Sequence, residues 1–120
     1  MPRVNASFEI TDWDQTTHDE PADGPPLLRA TVRKRFSGAL EGESVAELLM
    51  CGQEGYVATE RVVGSLEGCE GTFVLQHGAA TAESRFGVVV PRSGTGALTG
   101  LAGTVVMEHE RIALDYELEP

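Results

Sequence analysis

Apolar and polar residues alternate with a period of two along most of this chain. Val4, Ala6, Phe8 and Ile10 alternate with polar neighbours, the pattern of a half-buried strand. Leu28, Ala30, Val32 and Phe36 alternate against Arg29, Thr31, Arg33 and Arg35, the clearest such run in the sequence. Between these strands, Thr11 to Pro26 reads as the one long irregular segment, rich in Asp, Thr, Pro and Gly, with Trp13 as its large apolar anchor. Val45 to Cys51 is denser, apolar on both faces except at Glu47. Ala82, Ser84, Phe86, Val88 and Val90 form one face of a further strand, which Pro91 stops. Thr104 to Glu108 and Arg111 to Leu118 are joined tightly at His109-Glu110, which pairs Val105 with Leu114, Met107 with Ile112 and Gly103 with Tyr116. No window carries a helical stripe.

The central hairpin is the most informative stretch. Val57 to Val63 and Thr72 to His77 flank the turn-prone Glu67-Gly68-Cys69-Glu70. A turn centred on Gly68-Cys69 sets Val62 opposite Leu75, Gly64 opposite Phe73 and Glu60 opposite His77. Alternation then places Tyr56, Glu60, Val62, Leu66, Phe73, Leu75 and His77 on one largely apolar face. About eight short antiparallel strands with polar-out alternation predict one all-β domain over residues 1–120, a closed antiparallel barrel with a sandwich as the alternative. Closure removes edge strands, and a lumen of this size is either filled by side chains or holds one small ligand. Phe8, Leu28, Val32, Leu75, Phe86 and Leu114 are the expected core.

Charge narrows the partners. Nine basic against nineteen acidic residues give a net charge of −10, which argues against nucleic acid or an anionic membrane as partner. Of the one basic cluster, Arg29, Arg33, Lys34 and Arg35, three members fall on the polar face of a strand and read as a solvated outer surface. No apolar run approaches the roughly 20 residues of a membrane-spanning helix, and Met1 to Asn5 lacks the apolar core of a signal peptide. With two cysteines in unrelated places, Cys51 and Cys69, the expectation is a cytoplasmic protein without disulfides or zinc.

Four residues are candidates for chemistry. A carboxylate beside an imidazole, Glu60 with His77, holds the ring's tautomer and raises its basicity, which suits proton abstraction next to a carbonyl; the alternative is a cross-strand charge pair. Glu47, flanked by Val45 and Leu49, is a buried carboxylate that is either paired, with Arg61, Arg85 or Gln76, or a general base. Tyr116 shares a face with Leu114 and Leu118; its hydroxyl either donates to a developing enolate oxygen or is a satisfied core group. Gln76 and Arg61 read as an outward ladder. Ser93-Gly94-Thr95-Gly96 lacks the Lys and the helix of a phosphate loop, and the acids between Asp12 and Asp23 fit no calcium loop. No cofactor and no metal are expected.

Several blocks together resemble a known family: Phe8-Glu9-Ile10 with Trp13, Phe36 to Ser44, Glu60-Arg61-Val62-Val63-Gly64, Gly71 to His77, Pro91, Ser93 to Gly103, and Leu114 to Leu118. On these the chain resembles a bacterial domain-of-unknown-function family similar in fold to the allene oxide cyclase and dirigent barrels. The resemblance implies an eight-stranded antiparallel barrel, often oligomeric, with a cavity open at one end, and lends no established reaction. The hairpin at His109-Glu110 is shorter than its relatives tend to have. The expected function is the binding of a small apolar molecule in the barrel. The alternative is a cofactor-independent isomerase or cyclase working by carboxylate and imidazole proton transfer. A homodimer is expected, because Val45 to Cys51 is apolar on a face that the lumen does not cover.

Overall fold

The period-two pattern folds into antiparallel strands that each pair with the next in sequence, and the last with the first, so that the sheet closes on itself. The computed structural model describes residues 2–81 and 83–119; the position expected for Ala82 on a strand face, and Met1 at the N-terminus, lie outside the described residues. The strands are β1 (Arg3–Asp19), β2 (Leu27–Gly38), β3 (Leu40–Cys51), β4 (Gly55–Leu66), β5 (Cys69–Ala79), β6 (Phe86–Val89), β7 (Ala102–Glu108) and β8 (Arg111–Glu117). One 3-10 turn, Gly96–Leu98, is the only helical element among the described residues. The eight-stranded barrel expected from the sequence is therefore the observed architecture. No helix among the described residues is long and apolar enough to cross a membrane.

The first strand corrects one reading. Thr11 to Asp19 is not irregular but continues β1. A bulge between Ile10 and Asp12 inserts an extra residue, and a bulge shifts the alternation by one. Phe8 faces Phe36 and Ile10 faces Lys34 before the bulge; Trp13 faces Val32 and Gln15 faces Ala30 after it. The polar composition of this half has a structural reason. β1 pairs with β8 only through Arg3 to Ser7, yet with β2 as far as Asp19. Phe8 N still donates to Glu110 O at 2.8 Å, and beyond it β1 is an edge; exposed Asp12, Asp14 and Asp19 suit an edge that must not recruit another strand.

The interior has two unlike halves. Phe36, Leu40, Leu66, Phe73, Leu75, Ile112, Leu114 and Tyr116 pack one half. Leu98 and Leu101, from the Gly-rich segment between β6 and β7, are fully buried in it. The other half is walled by Ala30, Val32, Ala46, Leu48 and Ala58. Alanines at three of these positions bring little side-chain volume to that half, where a core closes only when the summed volume matches the space. Of the expected core, Val32, Leu75 and Leu114 are buried, while Phe8 and Leu28 are half-buried. Phe86 is 50% exposed: Gly87 and Val89 take the inward positions of β6, so the face it shares with Val88 looks out. Period two gives which residues share a face, not which face is the core.

Candidate functional site

The β4–β5 turn falls one residue earlier than the sequence suggests. Glu67 and Gly68 both have positive φ, 46° and 85°, as a two-residue type I′ turn requires of both central positions. Glycine at the second position is the usual solution, and centring on Gly68-Cys69 would instead force cysteine there. As a result Glu60 lies opposite Leu75, and His77 opposite Ala58. The two are diagonal neighbours rather than direct partners. Both strands slip together, so neither side chain changes face, and the pair survives the change of register.

Four adjacent strands each contribute one polar side chain to a buried cluster: Lys34 from β2, Ser44 from β3, Glu60 from β4 and His77 from β5. Register places Lys34 opposite Ser44, and Ala46 opposite Glu60. Glu60 is 0% exposed. Its Oε1 accepts from His77 Nε2 at 2.8 Å and from Lys34 Nζ at 3.1 Å, and its Oε2 accepts from Ser44 Oγ at 2.5 Å. Burial pushes the Glu60 carboxyl up, but the His77 hydrogen bond, the Lys34 ammonium and the Ser44 hydroxyl outweigh it and hold Glu60 below its ordinary value.

A carboxylate has no proton to give, so Nε2 of His77 carries the hydrogen, and Nδ1 is an acceptor whenever the ring is neutral. Tyr56 Oη lies 2.9 Å from that Nδ1 and donates to it in the neutral ring. Burial and the Glu60 charge raise the Tyr56 phenol, against a smaller lowering by Arg85. The result is a continuous chain of hydrogen bonds, Tyr56 to His77 to Glu60, backed by Lys34.

Above this cluster lies a cavity of about 790 Å³. Trp13, Leu28, Val32, Leu48 and Met50 form its apolar wall; Lys34, Tyr56 and His77 reach it from the floor; Gln15, Arg85 and Glu108 stand at the rim. Arg85 Nη1 donates to Glu108 Oε1 at 2.5 Å. Glu60 sits behind the floor and does not line the cavity.

The structure brings together Glu60 and His77 and separates the other two candidates from them. Glu47 is exposed on the outer face of β3, opposite Thr31 and Thr59, because Ser44, Ala46 and Leu48 hold the inward positions. It is neither a buried acid nor a lumen base. Tyr116 is buried in the packed half, where its hydroxyl donates to Glu67 Oε1. That hydrogen bond, with burial and the Glu67 charge, pushes its phenol up to about 12. Gln76 and Arg61 do point outward, and Gln76 Nε2 donates to Thr59 Oγ1 at 3.3 Å.

Sequence reasoning missed Lys34, Ser44 and the role of Tyr56. Lys34 shares the parity of Val32 and Phe36, which places it inward, and it is the sole lysine in the chain. Both signals were legible. Among the described residues no group of His, Cys, Asp and Glu is arranged to hold a metal ion, and both cysteines are free thiols.

Comparison with known proteins comes to the same fold. The profile of a family described as "Protein of unknown function (DUF3224)" matches residues 4–119. A crystal structure of a protein with unknown function from that family, from Shewanella oneidensis MR-1, is similar over 100% of this chain and 99% of its own, with 36% identity and a TM-score of 0.80. No curated protein matches.

Proposed function

This chain belongs to the DUF3224 family, whose function is unknown, and from that premise we propose that its barrel binds a small, largely apolar molecule. The observation that carries the reading is the cavity of about 790 Å³, apolar in its walls, over a floor of hydrogen-bonded polar groups. That combination is the usual form of a small-molecule site: apolar surface supplies affinity and a few convergent polar groups fix orientation. Native mass spectrometry of the purified protein should show a small molecule that leaves on denaturation. Trp13 is the sole tryptophan and lines the cavity, so its fluorescence should respond to apolar probes. Leu28→Phe, which adds bulk to the wall, should weaken that response. Probes that leave Trp13 unchanged up to their solubility limit would refute the reading.

A second reading, a cofactor-independent isomerase or cyclase, is favoured by the hydrogen-bond chain from the Tyr56 hydroxyl to the buried Glu60. In it Tyr56 exchanges a proton with the bound molecule while His77 and Glu60 hold its hydroxyl in place. The likeness to allene oxide cyclase and dirigent barrels belongs to this reading. Deuterium exchange next to the carbonyl of a bound ketone, followed by NMR and abolished by Tyr56→Phe, would support it; exchange at the solvent rate would not.

We also propose a homodimer built on the outer face. Leu49, Val57 and Phe86, each about half exposed, stand in one row, since Leu49 faces Val57, Val57 faces Gly78 and Gly78 faces Phe86. Arg29 and Glu47 flank the same groove, so two copies related by a two-fold axis can match each apolar row and set opposite charges together. Light scattering at tens of micromolar should give a dimer mass that Phe86→Ser reduces to a monomer; a monomer in the unaltered protein ends the proposal.

A further inference from the structure

Lys34 is the only lysine of the chain, and the remaining basic residues are eight arginines. All eight arginines are exposed. The lysine is 7% exposed and lines the cavity floor. An arginine would be the ordinary choice for bracketing a buried carboxylate, because its planar fork takes both oxygens at once. Here Nζ meets only Oε1 of Glu60, which it shares with His77, while Ser44 takes Oε2.

An ammonium carries three N–H bonds that point in different directions. One reaches Glu60 at 3.1 Å. The other partners of Nζ are the thioether of Met107, at 3.6 Å, and the face of the Phe8 ring, 4.7 Å from its centroid. Thioether sulfur and an aromatic face are weak substitutes for water around a cation. A desolvated ammonium that faces a cavity with one strong acceptor is set up to take another oxygen.

We infer, resting on the ligand-binding reading above, that Lys34 selects the ligand's head: an apolar molecule carrying a neutral carbonyl group, whose oxygen accepts from Lys34 Nζ in place of Met107 Sδ. Charge decides for a carbonyl over a carboxylate. The Lys34 ammonium and the Glu60 carboxylate cancel. A carboxylate would add an uncompensated negative charge to a desolvated floor, within a chain of net charge −10. A carbonyl oxygen meets the same donor and adds none. An alcohol brings a proton as well as lone pairs and needs a second partner.

The single lysine makes the test clean. Protein grown on isotope-labelled lysine gives one lysine side-chain signal in NMR. Menthone, menthol and octanoate are titrated in turn, with Trp13 fluorescence reporting occupancy and the Lys34 signal reporting contact with the head group. Menthone should bind about tenfold or more tighter than the other two and should shift the Lys34 signal, and Lys34→Met should erase the preference. Equal or tighter binding of menthol or octanoate, or a Trp13 response to menthone with the Lys34 signal unmoved, overturns the inference while leaving cavity binding intact. Failure of all three probes to change Trp13 fluorescence removes both. Because Lys34→Met strips Glu60 of its cation, the labelled unaltered protein carries the decision where that variant does not fold.

Discussion

At the scale of single residues, the polar cluster is a case of mutual dependence. Glu60 is tolerable in the interior only because His77, Lys34 and Ser44 satisfy both its oxygens, and Lys34 is tolerable only because Glu60 is there. Removing one partner of such a pair leaves an uncompensated buried charge, which costs about 3–5 kcal/mol. Glu60→Gln should therefore destabilise the protein by roughly that amount in urea unfolding, and adding Lys34→Met to it should recover part of the loss. A double variant as unstable as the sum of the two singles would show that the pair does not couple. The same cluster sets the acid limit. The folded protein holds the Glu60 carboxyl below its ordinary value, so its stabilising contribution is present above the unfolded value of roughly 4.3 and is lost as pH falls through the folded one. Glu60→Gln should flatten stability against pH in that acid window. The site was partly legible: Glu60 and His77 follow from strand alternation alone. Glu47 did not, because apolar neighbours on both sides fit a half-exposed outer face as well as a core.

At the scale of elements, turns and tight crossings govern what alternation cannot. The hairpin at His109-Glu110 has the register expected from its sequence, and both turn residues have positive φ. In the β4–β5 turn glycine is the second central residue, not the first as the composition of the turn suggests. Elsewhere glycine marks close approach between strands. Gly42 pairs with Gly64, and a Cβ on Gly64 would stand 2.0 Å from the Glu41 carbonyl oxygen, with backbone rather than a movable side chain in the way. Gly64→Ala should cost about 2–4 kcal/mol, in the range of overpacking combined with backbone displacement; a loss within experimental error in urea unfolding would show that β3 and β4 can separate there freely. Tyr116 ties β8 to the β4–β5 turn through Glu67. Its phenol is raised to about 12 in the folded protein, so this contribution is complete below the unfolded value of roughly 10 and is lost as pH rises through 12. Tyr116→Phe should remove that alkaline loss.

For the whole molecule, the decisive asymmetry lies in how the barrel closes. Ala6 and Ser7 of β1 are held on both sides, by β8 and by β2, whereas Arg3 to Asn5 are held by β8 alone and Asp12 to Asp19 by β2 alone. The seam between β6 and β7 is a single bridged pair, Val88 with Thr104. Large side chains fill the half where closure is complete, and alanines line the half where it is not. Strand number and closure were legible in the alternation. The open half was not, since it depends on where the first and last strands stop pairing and on a bulge hidden in a Thr- and Asp-rich run. Local opening free energy falls where backbone hydrogen bonds face solvent and few apolar contacts bury them. Amide exchange should therefore be faster in Asp12 to Asp19 than in Ala6 and Ser7. Trp13 and Gln15 line the cavity from this same edge, so a molecule that fills the lumen should slow exchange there, and in the facing Arg29 to Arg33 of β2, while amides of the packed half stay unchanged. Protection spread evenly over the barrel would mean that the two halves open as one unit, and protection absent from the edge would mean that the ligand sits elsewhere.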